Sequence, residues 1–394
     1  EERSLVVSNP HATHAVRNSA EDLATLDPQT VMGRFRRGEI TRRDVFKAMS
    51  AVGVASFGMR MFDQGALAAD ELRMIIWEGY ADDKYRLPFE EANDATIIAT
   101  EAGTGDEMFA QMETSDGKNY DMVSASSDLP KRLYDAGLLA EIDTTKLTNY
   151  NDLWDQFKTP DYITFDSKLY GVNFAWGPTL LISNSEVVTT APTSWNALLD
   201  EQYSGKIATW NYPLQIAQYA LLLDPVPDDP YVLTDDQLAQ VKDILLAQRP
   251  HVRMYWNTGL ELSQAFLNNE VVVADGWSWI TSQITTEGGK PVESIPTEGV
   301  TGWSDSWVIS SAAENYDLAL KWADWMIGPE GQVGITEVMG YSITNKTVAA
   351  TLPMETQEAL RLTNVEEEYA KIKMWKFVEN YDKWVQVWNE ATQG

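Results

Sequence analysis

The chain has 394 residues, of which 44% are hydrophobic and 23% charged, the composition of a globular protein long enough for two or three domains. Thirty basic residues against 59 acidic ones give a net charge of −29, which disfavours nucleic acids and anionic membranes and favours cationic ligands. The absence of cysteine excludes disulfides, thiolate metal sites and a cysteine nucleophile.

The N-terminal segment differs in kind from the rest. Basic residues precede a weakly apolar run at 48–59, and Ala66-Leu67-Ala68 then supplies small residues at the positions that a signal peptidase reads. This order predicts an export signal. Thr41-Arg42-Arg43-Asp44-Val45-Phe46-Lys47 resembles the twin-arginine pattern, although about forty residues precede its arginines and Arg60 interrupts the apolar run.

We therefore expect residues 1–69 to be an export leader that is cleaved near Ala68 or Ala69. The alternative is a basic amphipathic helix that is retained and lies on a membrane or a partner. No stretch of the sequence reaches the roughly 18 consecutive apolar residues of a membrane-spanning helix.

From residue 72 onward, apolar strand patterns alternate with amphipathic helical patterns. The predicted strands are 72–77, 96–100, 120–124, 180–183, 206–210, 271–274 and 307–310. The predicted helices are 107–113, 129–136, 194–199, 214–223, 235–248, 260–268, 316–326 and a C-terminal one over 365–391. Strands separated by helices predict an α/β fold with mostly parallel sheets, and about 325 residues favour two lobes.

The sequence lacks the residues that most catalytic sites need. His251 is the only histidine after the leader, and neither a serine elbow nor a nucleotide-binding motif is present. Gly103-Thr104-Gly105 is a weak signal for a ligand-facing turn. No enzyme, cofactor or metal is predicted. A sugar hydrolase stays an alternative, because any two of the many carboxylates would suit it.

Several tryptophans stand at the ends of strand patterns, where open α/β sheets bind ligands. Trp77, Trp210 and Trp277 follow such runs. Glu78 is next to Trp77 in the sequence, and Asp275 is two residues before Trp277. Aromatic faces together with carboxylates suit an organic cation. The alternative is that these rings only close the core at the strand ends.

The order of several short motifs resembles the polyamine-binding (spermidine/putrescine) branch of the periplasmic solute-binding proteins of ABC transporters. The motifs span residues 72 to about 352. They are Ile76-Trp77-Glu78-Gly79-Tyr80, the segment 120–126, the segments 137–143 and 146–149, Trp176-Gly177, the segment 302–307 and the segment 340–345.

This resemblance implies the two-lobed periplasmic-binding-protein fold of type II, with hinge strands between the lobes. We place lobe 1 at residues 70–178 plus 305–345, and lobe 2 at residues 179–304 plus 346–394 with the C-terminal helices. The implied protein is a periplasmic receptor and no enzyme. Its implied partners are a small cationic amine and a transporter permease, it binds no nucleic acid, and we expect a monomer.

The resemblance also implies a ligand-binding site. Asp305 is the expected partner of an ammonium group, between aromatic rings that stack along the ligand. The predicted site residues are Trp77, Glu78, Tyr80, Ser126, Trp176, Asn211, Gln215, Asp275, Trp277, Trp303, Asp305 and Tyr341.

One end of this predicted site departs from the family. Family members carry acids after the strand that here ends at Trp210, whereas this chain has Asn211, Tyr212 and Gln215. An ammonium group buried without its carboxylate costs several kcal/mol. The sequence therefore supports a cationic amine better than spermidine itself. A betaine or choline-like solute, an opine, an amino-acid derivative and a sugar stay open.

Overall fold

The computed structural model describes residues 70–393. The predicted leader, with its twin-arginine pattern and cleavage site, lies outside these residues. The strands are β1 (Asp70–Ile76), β2 (Ala95–Glu101), β3 (Met122–Ser126), β4 (Thr164–Phe165), β5 (Lys168–Leu169), β6 (Gly171–Pro178), β7 (Leu180–Asn184), β8 (Ile207–Trp210), β9 (Val252–Trp256), β10 (Val273–Gly276), β11 (Pro291–Ser294), β12 (Val300–Ile309), β13 (Ser342–Ile343) and β14 (Ile372–Met374).

Helices connect most of these strands. The α-helices are α1 (Asp83–Asn93), α2 (Gly105–Thr114), α3 (Pro130–Asp135), α4 (Ile216–Ala220), α5 (Asp235–Gln248), α6 (Gly259–Leu267), α7 (Ser278–Thr286), α8 (Tyr316–Met326), α9 (Pro329–Gly334), α10 (Lys346–Ala349), α11 (Met354–Ala359), α12 (Val365–Ala370) and α13 (Tyr381–Thr392). Short 3-10 turns lie at Thr144–Lys146, Tyr150–Asp152, Asp155–Phe157, Asp161–Ile163, Trp195–Leu199, Glu201–Tyr203, Pro213–Gln215 and Arg249–His251, and a π-helical segment at Ile335–Met339.

The strands form two larger sheets, and the predicted α/β class is confirmed. The first sheet has the order β13-β6-β12-β3-β1-β2, with β14 beside the start of β12. The second has the order β11-β7-β10-β8-β9. The prediction of mostly parallel sheets is wrong, because both are mixed. The βαβ units give parallel pairs around β1 and β8, whereas β6, β7, β11 and most of β12 pair antiparallel.

The chain passes between the two sheets at closely packed points. Thr179 alone separates β6 from β7, and its amide donates a hydrogen bond to the carbonyl of Thr301 at 2.8 Å. The return runs from the end of β11 to Val300, where β12 begins. The predicted lobe boundary at 304/305 falls inside β12, and the lobe limits stay a prediction.

The C-terminal segment is not the single helix that the sequence predicted. α12 ends at Ala370, β14 follows, and α13 begins only at Tyr381. Ile372, Lys373 and Met374 alternate apolar and polar side chains, which suits a strand, and they pair with the first residues of β12. The predicted apolar face of α13 is confirmed: Trp384 and Trp388 are buried, and the helix packs against α5.

Two other helix predictions also differ from the structure. The helix expected at 194–199 is a 3-10 turn, and the one expected at 214–223 is reduced to a 3-10 turn followed by α4. Eight tryptophans, at positions 176, 195, 210, 256, 307, 322, 384 and 388, are less than 2% exposed. Much of the tryptophan excess therefore builds the core. Within residues 70–393 no helix is both long and apolar enough to cross a membrane.

Candidate functional site

A cavity of about 460 Å³ lies between the carboxyl ends of parallel strands from both sheets. Such strand ends are where α/β proteins bind ligands. The first sheet contributes residues that follow β1, the end of β3 and part of β12, and the second contributes residues at the ends of β8 and β10.

The turn after β1 brings three polar or aromatic side chains to the cavity. Trp77, Glu78 and Tyr80 all line it. Gly79 allows this turn because its φ is +86° and because a Cβ there would lie 2.7 Å from the sulfur of Met339. The Trp77 amide donates a hydrogen bond to Ser124 Oγ at 3.0 Å, which attaches the turn to β3.

Asp305 is placed by a β-bulge. In the pairing of β12 with β6 the register shifts between Asp305 and Ser306, so that β6 carries one extra residue, Phe174. Bulges redirect side chains and are common beside binding sites. Asp305 and Trp303 are two residues apart on β12 and line the same cavity.

The Asp305 carboxylate is only 3% exposed and accepts two short hydrogen bonds. Tyr80 Oη donates to its Oδ2 at 2.5 Å, and Ser126 Oγ donates to its Oδ1 at 2.6 Å. Burial raises the pKa of Asp305 to about 7, although both hydroxyl donors act in the opposite direction. A cation in this cavity would stabilise the ionised carboxylate.

Glu78 has a different environment, although it lines the same cavity. Its carboxylate accepts a hydrogen bond from the Gly259 amide at the start of α6, and the Leu260 amide is a second backbone donor. Burial raises the pKa of Glu78, and these amides lower it. Glu78 thus accepts its hydrogen bonds from backbone amides at the start of a helix, whereas Asp305 accepts them from side-chain hydroxyls.

Aromatic rings enclose most of the remaining surface. Trp303 and Tyr341 contact edge to face, with ring centroids 4.4 Å apart. Opposite them, Trp210 contacts Trp277 at 5.1 Å and stacks on Trp375 at 5.3 Å with an angle of 22°. Such rings fit the methylene groups of an alkyl amine as well as its charge.

Hydrogen bonds join the two sides around this cavity. Trp210 Nε1 donates to the Gly103 carbonyl at 3.2 Å, and Tyr212 Oη donates to Asp128 Oδ2 at 2.7 Å. The bond from the Gly259 amide to Glu78 is a third connection. Burial raises the pKa of Asp128 to about 6. The two sides are therefore held in contact, as in a closed binding cleft.

Eight of the twelve predicted site residues line the cavity: Trp77, Glu78, Tyr80, Ser126, Trp277, Trp303, Asp305 and Tyr341. The other four lie elsewhere. Trp176 is buried, lines a smaller cavity that shares Trp277, Trp303 and Tyr341 with the first, and donates to the Ile343 carbonyl at 3.0 Å. Asn211 forms side-chain hydrogen bonds with Asn257 and Trp388. Asp275 and Gln215 are buried and bond each other.

Asp275 has a structural environment rather than a ligand-facing one. It accepts hydrogen bonds from the Trp210 amide at 3.0 Å, from Thr209 Oγ1 at 3.1 Å and from Trp256 Nε1 at 3.3 Å. Burial raises its pKa to about 7. This carboxylate fixes the end of β8 and thereby the position of Trp210.

The cavity also contains residues that were not in the predicted set, namely Ala102, Gly103, Trp210, Asn257, Gly259, Met339 and Trp375. Two of these had a sequence signal: Gly103 lies in a two-glycine turn and Trp210 ends a strand pattern. Trp375 lies in the segment for which the sequence predicts one continuous helix. Its amide donates to the Gly302 carbonyl at 2.6 Å, which holds the ring at the cavity.

The charges of the lining are one-sided. Among the described residues, those that line the cavity include the acids Glu78 and Asp305 and no lysine, arginine or histidine. Over residues 70–393 no group of three acidic or histidine side chains is placed to hold a metal ion. The cavity favours an organic cation over an anion.

Comparisons with known proteins give the family of the chain. A family model described as bacterial extracellular solute-binding protein matches residues 84–364. A spermidine/putrescine-binding periplasmic protein of Haemophilus influenzae is 24% identical over 302 residues, which are 74% of this chain and 80% of that protein.

Solved structures show the same fold. A protein of Listeria monocytogenes described as a putative spermidine/putrescine ABC transporter aligns with a TM-score of 0.72 and 22% identity, over 82% of this chain and 98% of that one. A binding protein of A. tumefaciens in complex with glucopine aligns with a TM-score of 0.68 and 18% identity, over 82% of this chain and 99% of that one. The two-lobed periplasmic-binding-protein fold predicted from the sequence is thus confirmed.

Proposed function

The chain belongs to the family of bacterial extracellular solute-binding proteins, and we propose that it is a periplasmic receptor that captures a polyamine or related small organic amine for an ABC transporter. It binds its ligand without turnover and delivers it to the transporter permease. We further propose that it acts as a monomer after removal of the leader. The names of the polyamine-binding relatives support this ligand class.

The single observation that carries the proposal is the buried carboxylate of Asp305 in an aromatic cavity. Its oxygens accept bonds from Tyr80 and Ser126, and it has no cationic partner among the described residues. A buried carboxylate is stabilised when an opposite charge lies within about 4–6 Å. A ligand ammonium group supplies that charge, while the rings cover its alkyl chain.

Closure of two lobes explains how such a ligand is retained. The proposed lobes are connected by β12 and by the β6–β7 link, which act as the hinge. The bonds Trp210–Gly103, Tyr212–Asp128 and Gly259–Glu78 form when the lobes are together. Ligand binding then stabilises the closed state because the ligand contacts both sides of the cavity.

A thermal-shift screen tests the ligand class. The panel is putrescine, cadaverine, spermidine, choline, glycine betaine, an opine and a neutral sugar, each at a range of concentrations. A ligand at 100 times its Kd stabilises the protein by about 2.7 kcal/mol. We expect stabilisation by ligands with an ammonium group and none by the sugar. Stabilisation by the sugar alone would overturn the proposal.

A further inference from the structure

The last helix of the described chain, α13, contacts both of the proposed lobes. Its body packs against α5 and against the 3-10 turn at Pro213–Gln215, which follows β8 of the second sheet. Trp384 and Trp388 are buried, and Trp388 Nε1 donates a hydrogen bond to Asn211 Oδ1 at 3.2 Å. The helix is therefore anchored on the side of the second sheet.

The first residue of α13 contacts the opposite side. Tyr381 Oη donates a hydrogen bond to Asp106 Oδ2 at 2.8 Å. Asp106 lies in the first turn of α2, which packs with α3 and with β3 of the first sheet. The α3 helix contributes Arg132, whose Nη1 donates to Asp106 Oδ1 at 2.5 Å. Tyr381 and Arg132 thus share one carboxylate where the two sides meet.

Aromatic rings reinforce this contact. The central carbon of the Arg132 guanidinium lies 4.4 Å from the centre of the Phe109 ring, which belongs to α2, and 5.1 Å from the centre of the Tyr381 ring. A guanidinium group is attracted to the face of an aromatic ring, and more strongly where water is excluded. Arg132 therefore contacts one ring from each side in addition to the shared carboxylate.

A second tyrosine makes a similar connection between the two sides. Tyr212, in the turn after β8, donates a hydrogen bond from its hydroxyl to Asp128 Oδ2 at 2.7 Å. Asp128 lies just before α3. A Cβ at Gly105, the first residue of α2, would be 2.8 Å from the same hydroxyl, so the start of α2 meets Tyr212 closely. Two tyrosines of the second side therefore bond two carboxylates of the first.

The contact made by Tyr381 is separate from the ligand cavity. Among the described residues that line that cavity, none is Tyr381, Asp106 or Arg132. The segment that leads into α13 does reach the cavity through Trp375, and its Phe377 ring lies 5.6 Å from Lys131 Nζ of α3. The C-terminal segment thus joins the cavity wall to a contact between the two sides that no ligand touches.

We propose that α13 is a latch that holds the two proposed lobes together, with Tyr381 as its closing contact and Asp106 and Arg132 as its partners. The inference rests on the lobe closure of the proposed function and does not depend on the identity of the ligand. A latch outside the cavity changes the population of the closed state, so it changes the apparent Kd of every ligand by the same factor. It also slows release, because the lobes must separate before a ligand leaves.

Distances between two spin labels test the latch without a ligand. The chain has no cysteine, so cysteines introduced at exposed Thr114 of α2 and exposed Ala247 of α5 carry the only labels. Tyr381→Phe removes one hydroxyl and keeps the ring against Arg132, and Tyr381→Ala removes both contacts. We expect Tyr381→Phe to lower the ratio of closed to open protein about tenfold, because a hydrogen bond to a charged group is lost. Tyr381→Ala should lower this ratio further.

The matched control is Tyr134→Phe, which also removes a hydrogen bond from a tyrosine to an aspartate. Tyr134 Oη donates to Asp166 Oδ2 at 2.6 Å, and both residues belong to proposed lobe 1, so the label distances should not change. The melting temperature of each variant shows whether it is folded.

Titrations with putrescine and with cadaverine separate this inference from the proposed function. Tyr381→Phe should raise both Kd values by the same factor of about ten. A rise for only one of the two amines, or equal label distances in the parent and in both Tyr381 variants, would overturn the latch and leave the amine receptor standing. If neither amine binds to the parent protein, the proposed function is wrong, and the label distances still decide whether α13 is a latch.

Discussion

Replacement of Asp305 by asparagine removes the charge that the binding account depends on while keeping the shape of the side chain. Asparagine can still accept a hydrogen bond from one of the hydroxyls of Tyr80 and Ser126 and donate one to the other. We therefore expect the free energy of unfolding without ligand to change by no more than about 1.5 kcal/mol.

The effect on binding should be much larger. Removing one partner of a buried ion pair costs about 3–5 kcal/mol, because the other charge is left buried and uncompensated. At about 1.4 kcal/mol for each tenfold change, Kd for the best amine of the screen should rise by two to three and a half orders of magnitude. Isothermal titration at pH 7.5 measures this ratio directly.

The matched control is Asp116→Asn, which removes the same charge from an exposed position. Asp116 has a φ of +56°, a conformation that asparagine tolerates well, and it pairs only with exposed Lys118. Its Kd should stay within about twofold of the parent value, since exposed charges are screened by solvent. An Asp305→Asn variant that binds the amine as well as this control would refute the role given to Asp305.

Three further predictions follow from the same contacts. Folded Asp305 and Asp275 keep their protons up to about pH 7, whereas unfolded aspartate loses its proton near about pH 3.9. The unliganded protein should therefore lose stability as the pH rises across this window, and amine affinity should increase over it; thermal melts and titrations that show neither trend would contradict the pKa assignment. Tyr212→Phe removes the side-chain donor of buried Asp128 and should weaken ligand binding about tenfold; an unchanged Kd would mean that this bond does not support closure. Trp384→Ala should lower the free energy of unfolding by about 3–5 kcal/mol, because the ring is fully buried, and a denaturant titration showing less than 1 kcal/mol would exclude a core role.

The strand-end residues of the first sheet could be predicted because local sequence fixes them. Trp77 follows a clear strand pattern, and such ends meet at one edge of an α/β sheet, whereas Tyr80 was implied by the resemblance. Asp305 required the resemblance, because nothing in its local pattern distinguishes it from the many other acids. The bulge that places it depends on the pairing of β12 with β6, which is a long-range contact.

Other parts of the site could not be read from the sequence for a physical reason. Trp375 reaches the cavity only because β14 pairs with β12, and a three-residue strand is too short to show a period. Asp275 stands at a strand end, as a ligand-binding acid would, yet it is buried in the second sheet and bonded by Thr209 and the Trp210 amide. Whether an acid faces a cavity or the core is decided by packing, which the sequence does not display.

A crystal structure of the protein with the best amine of the screen tests the central claim most directly. The account predicts a ligand nitrogen at about 2.7–2.9 Å from an Asp305 carboxylate oxygen, with the alkyl chain against Trp303 and Tyr341. A ligand that places an anionic or neutral group beside Asp305, or that binds outside this cavity, would contradict it.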